Sequence, residues 1–207
     1  MISTLLFDID GVIIQYEKQF IETLDDSIYK NPVDVISEFY NGQINVECDK
    51  GYKDPVKEIE LFTKKIGWAG SSEEYLIHQY TFESQYIDYE LLHNIKLFRK
   101  KGFKCYIASN QNNFRKAFLK KVMKAEEVFD NSFFSCDFGF VKPERKYWEC
   151  VYQELIKDNS KLEKSEILFL DDSFKNIESA ADFGITAQQV DSKEKINKVL
   201  SLYDFIV

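Results

Sequence analysis

Histidine is nearly absent from this chain, with two copies in 207 residues, and the four cysteines form no CxxC or other metal-ligand spacing. His78 and His93 both fall in stretches of helical spacing and neither is tied by sequence to a cysteine, so a Cys–His nucleophile is disfavoured. Cys48, Cys105, Cys136 and Cys150 are scattered through a mid-sized chain, the pattern of reduced, mostly buried thiols rather than of a disulfide framework. No apolar run reaches the roughly 20 residues that cross a bilayer. The N-terminus carries no basic segment ahead of an apolar one, so a secretory signal is not expected. A basic surplus is missing as well. The net charge of −8 argues against a general nucleic-acid binder, although a few local lysines can still hold a small anion. Internal repeats and low-complexity segments are absent too. A cytoplasmic protein with neither membrane nor nucleic acid as partner is expected.

What is present is a globular composition, 44% hydrophobic and 15% aromatic, in a length that suits one domain with an insertion or two small domains. Short β-type runs ending in polar residues occur at Thr4 to Phe7, Phe103 to Ala108, Ser132 to Ser135, Ile167 to Leu170 and Thr186 to Val190. Helical stripes lie between them. Leu91, Leu92, Ile95 and Phe98 form one, with Asp88 as cap and Gly102 as stop. Phe114, Phe118 and Val122 form another, as do Tyr147, Val151 and Leu155, and Ile177, Ala180 and Ala181 before Gly184. This alternation predicts an α/β fold, a Rossmann-like parallel sheet with helices on both faces.

Residues 15–89 differ. They carry helical spacing but no clear strand, divided by turn signals at Asn31-Pro32, Asn41-Gly42, Asp54-Pro55 and Gly67 to Ser72. The expected division is a catalytic core of residues 1–14 and 90–207 with a small α-helical cap, 15–89, inserted after the first strand. Set over the strand end, such a block works as a lid that excludes water and touches substrate, or it buries apolar surface and nothing more. Gln15, Tyr16, Tyr40 and Lys50 are its candidate contacts.

Four polar clusters follow the strand-like runs. Asp8-Ile9-Asp10-Gly11 places two carboxylates on one face at a strand's carboxyl end, and their repulsion calls for a cation or a shared proton. It does not fit a calcium loop, which needs a third oxygen ligand before the glycine and flanking helices. Ser109-Asn110-Gln111 sits between a strand and a helix, suited to an anion or to a simple N-cap. Lys142-Pro143 offers either a fixed point charge for a phosphoryl group or a solvated lysine. Asp171-Asp172-Ser173, with Asn176 one turn on, repeats the acidic pair. Both pairs are reconciled if they converge on one divalent ion, and all-oxygen ligands select Mg²⁺ before Zn²⁺ or copper.

Taken together and in this order, the clusters resemble the four motifs of the haloacid dehalogenase-like (HAD) superfamily. Phe138-Gly-Phe-Val-Lys-Pro-Glu144, Tyr147-Trp148 and the run from Leu170 to Ala180 are similar to its small α-capped sugar-phosphatase branch. The resemblance implies a phosphoric monoester hydrolase acting on a small phosphorylated metabolite, a sugar phosphate by preference. Asp8 would be the nucleophile that forms an aspartyl phosphate, and Asp10 the acid and base, which needs Asp8 ionised and Asp10 able to hold a proton. Ser109, the Asn110 backbone N–H and Lys142 would bind the phosphoryl oxygens. Mg²⁺ would rest on Asp8, the Asp10 carbonyl, Asp171 and Asp172. Haloacid dehalogenases lack a carboxylate at the position of Asp10, which favours phosphoryl transfer. Asn176 departs from the acid common in relatives. The alternatives are a phosphomutase of the same fold and a non-catalytic, phosphate-binding regulatory protein.

Overall fold

The computed structural model describes residues 1–203; residues 204–207, the end of the expected core segment, lie outside it. Five strands, β1 (Thr4–Phe7), β2 (Lys104–Ser109), β3 (Asn131–Phe134), β4 (Ile167–Asp171) and β5 (Thr186–Gln189), form one sheet in the order β3-β2-β1-β4-β5. Every pairing is parallel. The α/β, Rossmann-like expectation holds. The chain lays strands outward from β1 on one side, then returns to pair β4 against its other edge. Carboxyl ends at such a reversal leave a crevice, the usual ligand site of open α/β sheets.

Among the described residues, twelve α-helices accompany the sheet: α1 (Pro32–Tyr40), α2 (Gln43–Asp49), α3 (Pro55–Glu58), α4 (Glu60–Ile66), α5 (Ser72–Glu83), α6 (Tyr89–Lys100), α7 (Asn113–Val122), α8 (Ala125–Val128), α9 (Ser135–Phe138), α10 (Arg145–Asp158), α11 (Phe174–Phe183) and α12 (Lys193–Leu202). None among the described residues is long and apolar enough to cross a membrane.

Side-chain alternation sorts the core into two layers. Leu5, Phe7, Ile107, Leu168 and Leu170 point to one face, where Leu92, Ile95 and Phe98 of α6 and Ile196 and Leu200 of α12 cover them. Leu6, Tyr106, Ala108, Ile167 and Phe169 point to the other, under Tyr147, Trp148, Val151 and Leu155 of α10 and Phe183 of α11. All four residues of β1 are buried, as a central strand covered on both faces requires.

The helices α1–α5 gather around a third cluster, with Ile36, Phe39, Cys48, Ile59, Phe62, Ile66, Tyr75 and Tyr80 at its centre. Their ends follow the turn signals: Pro32 and Pro55 open helices, Asp54 accepts from Val56 N at 3.0 Å, and Ser71 with Glu74 closes a capping box on α5. Phe114 and Phe118 of α7 pack here rather than on the sheet, which Leu119 contacts instead. The stripe expected from Phe114 to Val122 therefore serves two cores. The chain enters and leaves the segment side by side, with Asp88 N donating to Ile13 O at 2.8 Å and an antiparallel bridge between Ile14 and Ile87.

Candidate active site

Each polar cluster falls at the crevice, and the strand ends set the geometry. Asp8 follows β1 directly, while Ser109 and Asp171 are the last residues of β2 and β4, one residue further into the strands than the sequence pattern suggested. Ser109 pairs with Phe134, and Asp171 with Gln189, so both are held by ladder backbone.

Lys142 is the hub. Its side chain is 1% exposed, and Nζ lies 3.0 Å from Asp8 Oδ1 and 2.5 Å from Asp171 Oδ2. Nζ also donates to the Ala108 carbonyl at 2.9 Å. Asn110 fixes the backbone there: Lys142 N donates to Asn110 Oδ1 at 2.8 Å, and Asn110 Nδ2 donates to Lys142 O at 3.0 Å. Burial would strip the proton from this amine, but Asp8 and Asp171 outweigh it and hold the pKa above the ordinary lysine value. The solvated-lysine alternative is excluded. The N-cap alternative for Ser109 falls too, because α7 is capped by Asn112, whose Oδ1 accepts from Arg115 N at 2.9 Å. Ser109 is buried and accepts from Gln111 Nε2 at 3.2 Å.

Carboxylate oxygens of Asp8, Asp171 and Asp172 lie within 4.8 Å of one another. Three hard donors so close are a set that fits Mg²⁺. Asp171 accepts from Ser173 N at 2.8 Å and from Asn176 Nδ2 at 3.1 Å, so the amide that replaces the usual acid orients this carboxylate. Gly11 is needed for the same cluster. At φ +77° it lies against Asp172, and a Cβ there would fall 2.3 Å from Asp172 Cγ.

Asp10 does not join the triad through its carboxylate. Arg115 grips it with a fork, Nη1 to Oδ2 at 2.9 Å and Nη2 to Oδ1 at 2.7 Å. Gln111 Nε2 donates to Oδ2 at 2.8 Å, and the Tyr16 hydroxyl donates to Oδ1. The two motif carboxyls are thus driven apart in the sense opposite to expectation. Burial pushes Asp8 well above the usual carboxylate range, against the pull of Lys142. Burial also pushes Asp10 upward, but Arg115, Tyr16 and Gln111 together carry it below its ordinary value. For Asp10 the chief lowering cause is Arg115, which the sequence reading missed. Arg115 Nη2 also lies 3.0 Å from Glu83 Oε2, at the end of α5. One signal was present: both are charged residues at the helix end that the macrodipole disfavours, an arginine in a first turn and a glutamate in a last.

Of the four contacts considered in the helical segment, Tyr16 and Tyr40 line a cavity that opens beside Asp10. Gln15 turns to Val12 O at 3.3 Å. Lys50 instead pairs with Glu144 at 2.5 Å, tying the segment to the loop that carries Lys142.

Clustered carboxylates compensated by one buried amine, at the reversal point of a parallel sheet, define a polar site of the α/β class suited to a cation and an anionic ligand. A family model described as haloacid dehalogenase-like hydrolase matches residues 2–184, and the chain belongs to that family. No curated protein matches it. Among solved structures, the HAD family enzyme bt-2542 from Bacteroides thetaiotaomicron superposes with a TM-score of 0.74 at 20% identity, over 96% of this chain and 98% of that one. The same enzyme has been solved in complex with magnesium and inorganic phosphate (TM-score 0.67, 22% identity, 91% and 94% covered). A predicted HAD-like family hydrolase from Porphyromonas gingivalis gives 0.70 at 22% over 97% and 98%. L-2-haloacid dehalogenase from Xanthobacter autotrophicus gives 0.62 at 14% over 99% and 87%.

Proposed function

We propose that this protein is a Mg²⁺-dependent phosphatase that frees inorganic phosphate from a small phosphorylated metabolite, a sugar phosphate, through an aspartyl-phosphate intermediate. The observation that carries the reading is Lys142, buried between Asp8 and Asp171 with Asp172 and Ser109 beside them. The magnesium and phosphate held by bt-2542 point the same way. Residues 15–89 serve as the cap, as in the small α-capped branch. Four free thiols suit a cytoplasmic setting.

Asp8, Asp171 and Asp172, with the Asp10 carbonyl, would hold Mg²⁺. When bound, the ion supplies positive charge against the phosphate dianion and the crowded carboxylates. Ser109, the Asn110 N–H and Lys142 hold the phosphoryl oxygens as negative charge shifts in the transition state. Asp8 attacks phosphorus and the leaving alcohol takes a proton from Asp10. Water then attacks the aspartyl phosphate, and Asp10 accepts its proton, returning Asp8 as a carboxylate. The ionised, Arg115-held Asp10 suits this second half. The first half asks for its protonated form, which the Arg115 fork on Asp10 opposes in the free enzyme.

A metabolite panel assayed for phosphate release, with Mg²⁺ and with chelator, tests the reading. Asp8→Asn is expected to lower turnover by about a thousandfold or more, and chelation to abolish it. Release that survives the substitution would remove Asp8 from its role. Activity on haloacids with none on phosphoesters would reassign the chemistry to dehalogenation, and turnover only with a bisphosphate activator would make it a mutase.

A further inference from the structure

The cavity beside Asp10 has a volume of about 320 Å³ and is walled on its other side by the helical segment. Three of its lining residues are ionisable, Asp10, Glu83 and Arg115, so one guanidinium faces two carboxyl groups; burial raises the Glu83 pKa against the pull of Arg115. Gln19, Ser37 and Asn41 add uncharged donors and acceptors.

An arginine at the mouth of a phosphate site would ordinarily recognise a second anionic group on the substrate, because its fork matches a carboxylate or phosphate. Here both ends of that fork are taken, and of the guanidinium nitrogens only the buried Nε has no partner among the described residues. Both Nη atoms bind Asp10, and Nη2 is in ionic contact with Glu83 at 3.0 Å. Glu83 Oε2 accepts no aligned hydrogen bond, so charge rather than hydrogen bonding ties it to Arg115. Glu83 is held in place from the other side. Its Oε1 accepts from Gln79 Nε2 at 2.7 Å, and Gln79 Oε1 accepts from the Tyr40 hydroxyl at 2.7 Å. This chain runs from α1 across α5 to the acid/base residue, and it keeps a 9%-exposed carboxylate against the cavity.

We infer that Glu83 is a specificity-determining residue: by cancelling Arg115 it makes the cavity accept an uncharged, hydroxyl-bearing leaving group and reject one that carries a carboxylate or second phosphate. The inference rests on the phosphatase reading and sharpens it. With Asp10 protonated for the first half-reaction, Glu83 still cancels Arg115, so an anion entering the cavity loses its hydration and finds no net positive charge to replace it. Hydroxyls instead find amides and a serine that both donate and accept, which fixes orientation without charge.

The test uses the Mg²⁺-supplemented full chain on p-nitrophenyl phosphate and on matched alkyl phosphates that differ in a terminal CH₂OH or carboxylate. Suitable pairs are ethylene glycol phosphate with phosphoglycolate, glycerol 3-phosphate with 3-phosphoglycerate, and sorbitol 6-phosphate with 6-phosphogluconate. Wild type is expected to favour the neutral member by about tenfold or more in kcat/KM, and Glu83→Gln to narrow that ratio to about threefold, chiefly by gain on the acids. Equal rates on each pair, or preference for the acid, would overturn the inference from wild type alone, whether or not the variant folds. So would a ratio unchanged in Glu83→Gln, or turnover of p-nitrophenyl phosphate with none from either member of every pair. No release from any of these phosphoesters would instead remove the phosphatase reading, and this inference with it.

Discussion

At the residue scale, single side chains decide what the crevice can do, and Gly11 shows how tightly. Its φ of +77° belongs to the left-handed region, and the side chain of Asp172 occupies the space a Cβ would need. Gly11→Ala is expected to cost about 1–2 kcal/mol in backbone strain alone, and to push Asp172 off the carboxylate cluster. Mg²⁺ titration by calorimetry, beside a urea melt, separates the two effects. Magnesium affinity equal to wild type would mean that the Asp172 position is not set by Gly11. Asp8, Asp10, Gly11, Ser109, Lys142, Asp171 and Asp172 were all legible in the sequence because each follows a short apolar run. Arg115 and Glu83 were not. Neither sits in a strand-end cluster, and only folding brings α5 and α7 together.

At the element scale, Asp130 joins three pieces of backbone. It accepts from Cys105 N at 2.9 Å at the start of β2, from Arg99 Nε at 3.1 Å at the end of α6, and from Lys104 Nζ at 3.3 Å. Burial would raise its pKa, but the Cys105 N–H and the two cations bring it below the ordinary aspartate value. A depressed native value means that the stabilisation is complete above the unfolded-state pKa and is lost as pH falls through the native one. Asp130→Asn is therefore expected to cost about 1 kcal/mol at neutral pH, the worth of hydrogen bonds to a charged acceptor discounted for its exposure. The gap from wild type in urea midpoints should begin to narrow as pH falls below about 4 and close once the lower native pKa is passed. A gap that persists at lower pH would show that shape, not charge, holds the three pieces. Most elements were legible here, since caps and stops such as Asp88, Asp54 and Gly184 act locally. Strand ends slipped by a residue because ladder pairing, not composition, ends a strand.

At the scale of the whole molecule, the sheet and the helical segment share one helix. α7 sends Phe114 and Phe118 into the helical core and Leu119 into the sheet core, while Lys50–Glu144, the Ser135 hydroxyl to Asp49 O at 2.6 Å, and Arg115–Glu83 bind the two parts further. Unfolding is expected to be a single transition. Each part holds one of the two tryptophans: Trp68 packs against the helical core and Trp148 lies buried in the sheet core. Fluorescence urea curves of Trp68→Phe and Trp148→Phe, each reporting on the tryptophan that remains, are expected to coincide with circular dichroism of the same variant. Two separated midpoints would show cores that fold independently.

The sequence by itself determined the order of strands and helices, the placing of three polar clusters at strand ends with Lys142 in a loop beyond α9, and the membership in a family, because periodicity, turn chemistry and motif spacing are local properties written along the chain. Only the tertiary structure decided which charges meet. The Arg115 fork on Asp10, the Glu83 that shares it and the lysine locked between Asp8 and Asp171 join residues that are distant in the chain. Their protonation depends on burial and on neighbours, both of which exist only once the sheet and the helical segment have packed together.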